Sequence, residues 1–546
     1  MLYNSYEFIF GFLPLVLLSC FLLARYVGPG AAQILLIVAS IGFYAAWNVV
    51  YVPLLLGSIT CNYWLAQRMI ATTDATRRRA LLIVAIGVDL ALLGYYKYTN
   101  YFLSTVNSLA GTTYEMAAIL LPLGISFYTF QQITLLVDVS RGQVKEFRFR
   151  DFLLFVIFFP HLIAGPIVHH REMMPQFQKA TWRFDWTNLA VGISLFAMGL
   201  FKKAVIADGI AEHVAPIFAD AASGRDPSLT YAWAAAIGFT LQLYFDFSGY
   251  SEMALGLARM VGIRLPMNFN SPLKSSSIIE YWTRWHITLT RFLTAYLYTP
   301  MVMALTRRRM AAGKKILSGP RTKPGTFLVL VALPTVITMF LAGVWHGAGN
   351  QYLIVGLLYG GYITINHTWR MYRPRFWKDN ASHERIMQPV GFVLTFTGVI
   401  ITMVFFHADS VRSGLNIVAG MAGLHGVVLP TAIALRFPSI GAALSQHGVE
   451  FGGGGLTELL ATYGWIAALL LIALGFPNTL EIMRDYDPAI TDTSPSALGR
   501  MPSLVRCLDR CLVWRPTPRW AAVTVMLTTG GILALNRISA FLYWQF

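Results

Sequence analysis

The chain has 546 residues, of which 56% are hydrophobic and 12% charged, with a formal net charge of +16. A charged share about half of the ~25% usual in soluble domains excludes an ordinary soluble protein and points to a lipid environment. The four cysteines (Cys20, Cys61, Cys507 and Cys511) have no histidine or further cysteine at ligand spacing, so neither a zinc module nor a structural disulfide is expected.

Taken in chain order, apolar stretches of roughly membrane-spanning length lie near 7–25, 31–48, 50–67, 80–98, 116–136, 151–168, 188–206, 232–260, 278–304, 326–345, 350–368, 387–406, 414–430, 460–476 and 520–540. Some of these are half-spans, so about eleven to thirteen transmembrane or re-entrant helices are expected. The first stretch has neither a basic leader nor a small-residue cleavage site, and reads as a retained helix. Basic residues gather between spans: Arg68 with Arg77–Arg79, then Arg141, Lys145, Arg148 and Arg150, then Arg307–Arg309 through Lys323. Positive-inside topology explains this charge more simply than nucleic-acid binding. It places Arg25, Arg77 and the Arg141–Arg150 loop inside and the N-terminus outside; beyond residue 170 the count fixes nothing. No repeat and no long polar stretch interrupts the chain, which reads as a single membrane domain over 1–546. Residues 477–519, with Pro477, Pro488, Pro495, Pro502 and Pro516 and several arginines, read as an amphipathic surface excursion. Phe451–Gly455 lacks the Gly-Lys-Ser/Thr ending of a phosphate loop and reads as a connector.

Polar residues at membrane depth are costly, so each marks a functional site by default. Pro122–Gln132 and Phe159–Pro166 carry Pro and Gly where a helix must break or kink. In Gln242–Glu252, Asp246 and Tyr250 are four apart and share a helix face. They either line a polar tunnel or ion site, or Asp246, Glu252 and Arg259 pair with one another. In Glu280–Arg291 a continuous helix puts His286 on a face with Trp282 and Thr290, and Arg284 with Thr288 and Arg291. Trp282 and Trp285 then mark a water–lipid boundary. The arginine face either holds a phosphorylated or acidic donor or belongs to an anchoring helix. Trp345-His346-Gly347 closes an apolar run from Phe327, and Gly343, Gly347 and Gly349 weaken the helix there. His346 is the side chain best suited to exchange protons near neutral pH, or else a core histidine bonded to a carbonyl; Asn350 would orient its ring if the helix continues. No nucleophile elbow, zincin motif or dinucleotide fingerprint is present. The residues therefore describe a polytopic membrane protein with a histidine-centred site. An enzyme using imidazole as general base and a proton-coupled transporter both remain open.

The ordered motifs Pro122–Gln131, Phe159–Pro166, Tyr244–Ser251, Asn268-Phe269-Asn270, Tyr281–Leu289 and Val344–Ala348 resemble the membrane-bound O-acyltransferase family, in its bacterial alginate O-acetylation branch. The match is close over about 120–365, and the ending Phe541–Phe546 is also similar. The resemblance implies an all-α polytopic fold, with helices in a ring around a central tunnel entered from both faces. It implies His346 as the catalytic residue and His286 as a second active-site histidine. Asp246, Tyr250, Asn268, Trp282, Arg284, Trp285, Trp345 and Asn350 become substrate or tunnel candidates, with no metal and no bound cofactor. It further implies acetyl-CoA as cytoplasmic donor, a periplasmic or extracellular acyltransferase partner, a polysaccharide acceptor, no nucleic acid, and a place in the lipid bilayer of a bacterial inner membrane. Two stretches depart from the pattern. Tyr359 stands where many relatives have a further histidine, with His367 out of register, and Met303–Arg309 replaces a glycine-asparagine-arginine stretch. The leading expectation is O-acetylation of an envelope or secreted polysaccharide. D-alanyl or other acyl transfer is the alternative within the class, and proton-coupled transport the alternative outside it, though no paired broken halves are visible.

Overall fold

Hydrocarbon offers backbone groups no hydrogen-bond partner, so long apolar runs must satisfy themselves as helices. The computed structural model, which describes residues 2–114, 119–179, 181–452, 455–491 and 512–536, is accordingly all-α apart from one short parallel pair, Val427–Leu429 with Val449–Phe451. Among the described residues seven helices are long and apolar enough to cross a bilayer: Glu7–Tyr26, Val49–Ala71, Ala75–Ala110, Trp186–Ala222, Pro324–His346, Asn380–His407 and Leu456–Gly475. Pro29–Ala45, Ile125–Ser140, Leu229–Met260, Asn350–Tyr372 and Pro518–Leu533 are shorter or carry more polar side chains. Among the described residues these make twelve helices, within the eleven to thirteen expected, while the stretches near 151–168, 278–304 and 414–430 form shorter or broken helices. Cys507, Cys511, the ending Phe541–Phe546 and most of the 477–519 stretch lie outside the described residues.

The Leu229–Met260 helix is buried along most of its length. It crosses Trp186–Phe201 where Gly192 meets Gly256 and Gly199 meets Gly249; a Cβ at any of the four would strike the opposite backbone. Small residues at such a crossing let two helices approach closely without a hydrophobic driving force. The polar residues of this helix are thereby enclosed by protein, which is why Asp246 and Glu252 are tolerated in it.

The basic clusters fall on one face. Arg150 lies against Gly30, and Gln33 donates to Asp151 at 3.0 Å, so the 141–150 loop packs on the end of the helix pair that carries Arg25. This is the arrangement expected from the positive-inside count. The hairpin of Leu333–His346 and Asn350–Tyr372 starts and ends on the same basic face, where the Tyr372 hydroxyl donates to the Thr322 carbonyl at 3.0 Å. Its tip, carrying His346, therefore reaches toward the opposite face. Residues 477–491 fold back onto the 265–271 loop through Met267 N–H to Ile490 O (3.0 Å) and Ile490 N–H to Leu265 O (2.9 Å).

Candidate active site

His346 is the last residue of its helix. Gly347 follows in extended backbone, and a Cβ on it would run into the Tyr352 ring. Gly343 and Gly356 bring the two arms of the hairpin into backbone contact just below. A helix end leaves carbonyls without partners, and here the Ala75–Ala110 helix supplies them. The Tyr98 hydroxyl donates to Val344 O at 2.7 Å, and the Lys97 ammonium donates to Trp345 O. Lys97 also lies 5.6 Å over the Trp345 ring, and a cation at a helix C-terminus is favoured by the helix dipole. The His346 ring packs against Trp345 (centroids 4.7 Å) and edge-on to Phe406 (5.1 Å).

His286 does not sit within a helix. It adopts left-handed backbone (φ 42°, ψ 53°) between the Ile278–Trp282 and Ile287–Leu293 helices. A non-glycine residue held there costs of order 1–3 kcal/mol and persists where its surroundings fix it. The fixing group is Asn268. Its Oδ1 lies 3.0 Å from His286 Nδ1 and accepts from the Thr288 hydroxyl at 2.9 Å, while Nδ2 donates to Ser251 Oγ at 3.2 Å. The Asn268 carbonyl also accepts Ile287 N–H at 2.9 Å. With the Thr288 hydroxyl and amide pointed at Oδ1, the amide orientation is set, so the ring proton is assigned to Nδ1. Nε2 is then the acceptor nitrogen of the ring. Trp345 lies 6.4 Å from His286, centroid to centroid, and touches both imidazoles.

Two cavities meet at His346. One, of about 230 Å³, opens on the face away from the basic loops. Trp47, Lys97, Trp345 and His346 line it, together with Leu120–Phe127 and Ile163-Ala164. The second runs toward the basic face between Leu243, Trp282, Trp285, Tyr359, Phe406 and His346. Beyond Tyr359 lies a wider groove of about 1230 Å³, with Ser276, Ser277, Glu280, Asn366, Trp369 and Arg370 among its lining residues. His346 thus lies between a cavity open to the far face and a small pocket of about 20 Å³ on the side of the basic groove. Neutral imidazole in that position can accept a proton from a hydroxyl attacking an acyl group and return it to the leaving group.

The structure brings together His346, Trp345, Trp282 and Trp285 around these cavities, with His286 and Asn268 immediately behind. Several sequence expectations are corrected. Because the helix breaks at His286, the face it was to share with Trp282 and Thr290 does not exist. Trp282 and Trp285 are buried cavity walls, not interfacial anchors. Asn350 does not orient His346: the glycine break turns it away, and its Oδ1 accepts from the Tyr101 hydroxyl at 2.7 Å. Asp246, Glu252 and Arg259 do not pair with one another. Asp246 meets Lys203 at 2.8 Å, Glu252 meets Lys202 at 2.5 Å, and Arg259 points to the Tyr486 carbonyl. Tyr250 stacks on Tyr3 at 4.8 Å, away from the cavities. Arg284 pairs with Glu280 at 2.9 Å, beside the groove. The sequence reading missed Lys97, although a lysine inside an apolar span was itself the signal.

Comparisons with known proteins identify the family. Residues 96–313 match the model of the membrane-bound O-acyltransferase family, a stretch that includes Asn268 and His286. The chain is 38% identical to a peptidoglycan O-acetyltransferase of Helicobacter pylori, over 79% of this chain and 81% of that one. It is 37% identical to a "Probable alginate O-acetylase AlgI" of Pseudomonas aeruginosa, over 76% and 73% of the two chains. A Bacillus subtilis teichoic acid D-alanyltransferase is 29% identical, over 50% of this chain and 65% of its own length. Relatives this similar, over this much of both chains, place the protein in the membrane-bound O-acyltransferase family.

Proposed function

We propose that this protein carries an acetyl group from a cytoplasmic thioester, acetyl-CoA, through the inner membrane for O-acetylation of a cell-envelope or secreted polysaccharide. The observation that carries the reading is His346 standing between two cavities that run toward opposite faces. The basic face attracts the phosphates of coenzyme A, and the groove from Ser276 to Arg370 gives the thioester an entry beside that charge. His346 is the general base or acyl relay. His286, held by Asn268, keeps an acceptor nitrogen behind the shared Trp345 wall. On the far side the acyl group passes to a periplasmic or extracellular acyltransferase that completes transfer. The O-acetyltransferase names of the most similar relatives favour acetyl over D-alanyl transfer, since the D-alanyltransferase relative matches only half of this chain.

The test is base-labile acetate in envelope and secreted polysaccharide from wild-type and deletion strains. Loss of ester with the polymer retained is expected in the deletion. Unchanged ester with altered polymer export would replace the enzyme with a transporter.

Asn268→Ala provides a finer check on the second histidine. Removing a buried hydrogen-bond partner costs about 1–3 kcal/mol, which as a barrier is roughly five- to 160-fold in rate. The loss is expected in kcat, with the KM for acetyl-CoA little changed. A purely structural role for Asn268 would lower the yield of folded protein and leave the turnover of the folded fraction intact.

A further inference from the structure

Away from the cavities that reach His346, three elements converge near the basic face. Asp138 comes from the last turn of Ile125–Ser140, His169 and His170 from the start of the His170–Lys179 helix, and Tyr296 from the π-turn Thr294–Tyr298. Asp138 Oδ2 lies 3.3 Å from His169 Nε2, 3.9 Å from His170 Nε2 and 3.3 Å from Tyr296 Oη, and Tyr296 Oη lies 2.7 Å from His169 Nε2. Ligand atoms of Asp138, His169 and His170 all fall within 4.8 Å of one another. A tetrahedral ion with bonds of about 2.0–2.2 Å needs donor separations of about 3.3–3.6 Å. The observed separations, 2.7–3.9 Å, straddle that range. His170 is 4% exposed, yet among the described residues neither ring nitrogen has a hydrogen-bond partner. A buried imidazole in that state calls for an explanation, and a metal bond accounts for Nε2.

We propose that Asp138 Oδ2, His169 Nε2, His170 Nε2 and Tyr296 Oη hold a dication of the Zn²⁺ class, which staples these three elements together. Arg141 and Arg171 lie 3.8 and 3.5 Å from the Asp138 carboxylate, and both side chains are about half exposed. They can therefore swing into water when the ion takes their place. His169 Nδ1 accepts a weak bond from the Arg171 amide at 3.2 Å. Metallation at Nε2 moves the ring proton to Nδ1 and releases that exposed amide to solvent. Tyr296 stacks on Phe292 (5.5 Å), Phe292 on Phe130 (4.4 Å), and Phe130 on Trp345 (5.4 Å). The staple thus fixes the foot of an aromatic column that ends beside His346.

The test uses the full chain in detergent, stripped with a chelator, equilibrated with Zn²⁺, desalted and analysed for bound metal. About one zinc per chain is expected in the wild type and in His346→Ala, and less than a tenth of that in His170→Ala and in the near-isosteric Asp138→Asn. Zn²⁺ is also expected to raise the Tm of the stripped wild type, a readout that needs no variant to fold. No rise in Tm, or zinc content equal in wild type and Asp138→Asn, overturns the site. Neither measurement uses acyl transfer, so the result stands apart from the fate of the proposed activity.

Discussion

Replacing His346 with alanine is expected to abolish acyl transfer while leaving the protein folded in the membrane. Among the described residues, the imidazole is the one ionisable group on the walls of both cavities that meet at the hairpin tip. Removing a positioned general base typically costs 10²–10⁴-fold in rate. The hairpin itself does not depend on the ring: Lys97 and Tyr98 hold its end through the carbonyls of Trp345 and Val344. His346→Gln, which keeps much of the volume and the polarity, is expected to be as inactive as His346→Ala. The check is base-labile ester in a deletion strain complemented with each variant at matched protein level. Normal ester in either strain would remove His346 from the chemistry. His286→Gln is expected to lose less, because Asn268 and Thr288 still hold the loop through the Asn268 carbonyl and amide.

What the sequence made legible follows from what is local. A histidine between glycines at the end of an apolar run declares itself, because both its cost in lipid and the break in the helix are local properties. The same holds for the common side of the basic clusters up to residue 150, since each cluster sits directly beside its span. What stayed hidden depends on pairs distant in sequence. Asn268 and His286 are eighteen residues apart across a turn that helical spacing cannot anticipate, because His286 itself leaves the helical region. Lys97 meets Trp345 across 248 positions. Trp282 and Trp285 read as boundary residues because tryptophan favours membrane interfaces, but the helix break turns both into cavity walls. His169 and His170 drew no notice because their partners Asp138 and Tyr296 are supplied by separate helices.

Lys203 makes the same point for stability, and its substitution is expected to be the most damaging outside the cavities. Its ammonium, almost fully buried, lies 2.7 Å from Asp208 and 2.8 Å from Asp246. The π-turn Lys202–Ala207 widens the helix here, and both adjacent lysines engage Leu229–Met260: Lys202 at Glu252 and Lys203 at Asp246. Lys203→Met keeps the length and the apolar stem but leaves two carboxylates buried without their cation. Breaking a buried pair by removing one partner costs about 3–5 kcal/mol, enough to unfold much of a marginal protein. The expected result is a large fall in Tm in detergent and in the amount of protein recovered from membranes. Adding Asp208→Asn and Asp246→Asn to Lys203→Met removes the uncompensated charge and is expected to recover much of the loss, because an uncharged set of similar volume is often no less stable than the ion cluster. If Lys203→Met alone is neutral, or if the triple variant is worse than the single, then the lysine is not what holds these carboxylates in the core, and the closeness of the two helices must rest on the glycine crossings at 192–256 and 199–249 instead.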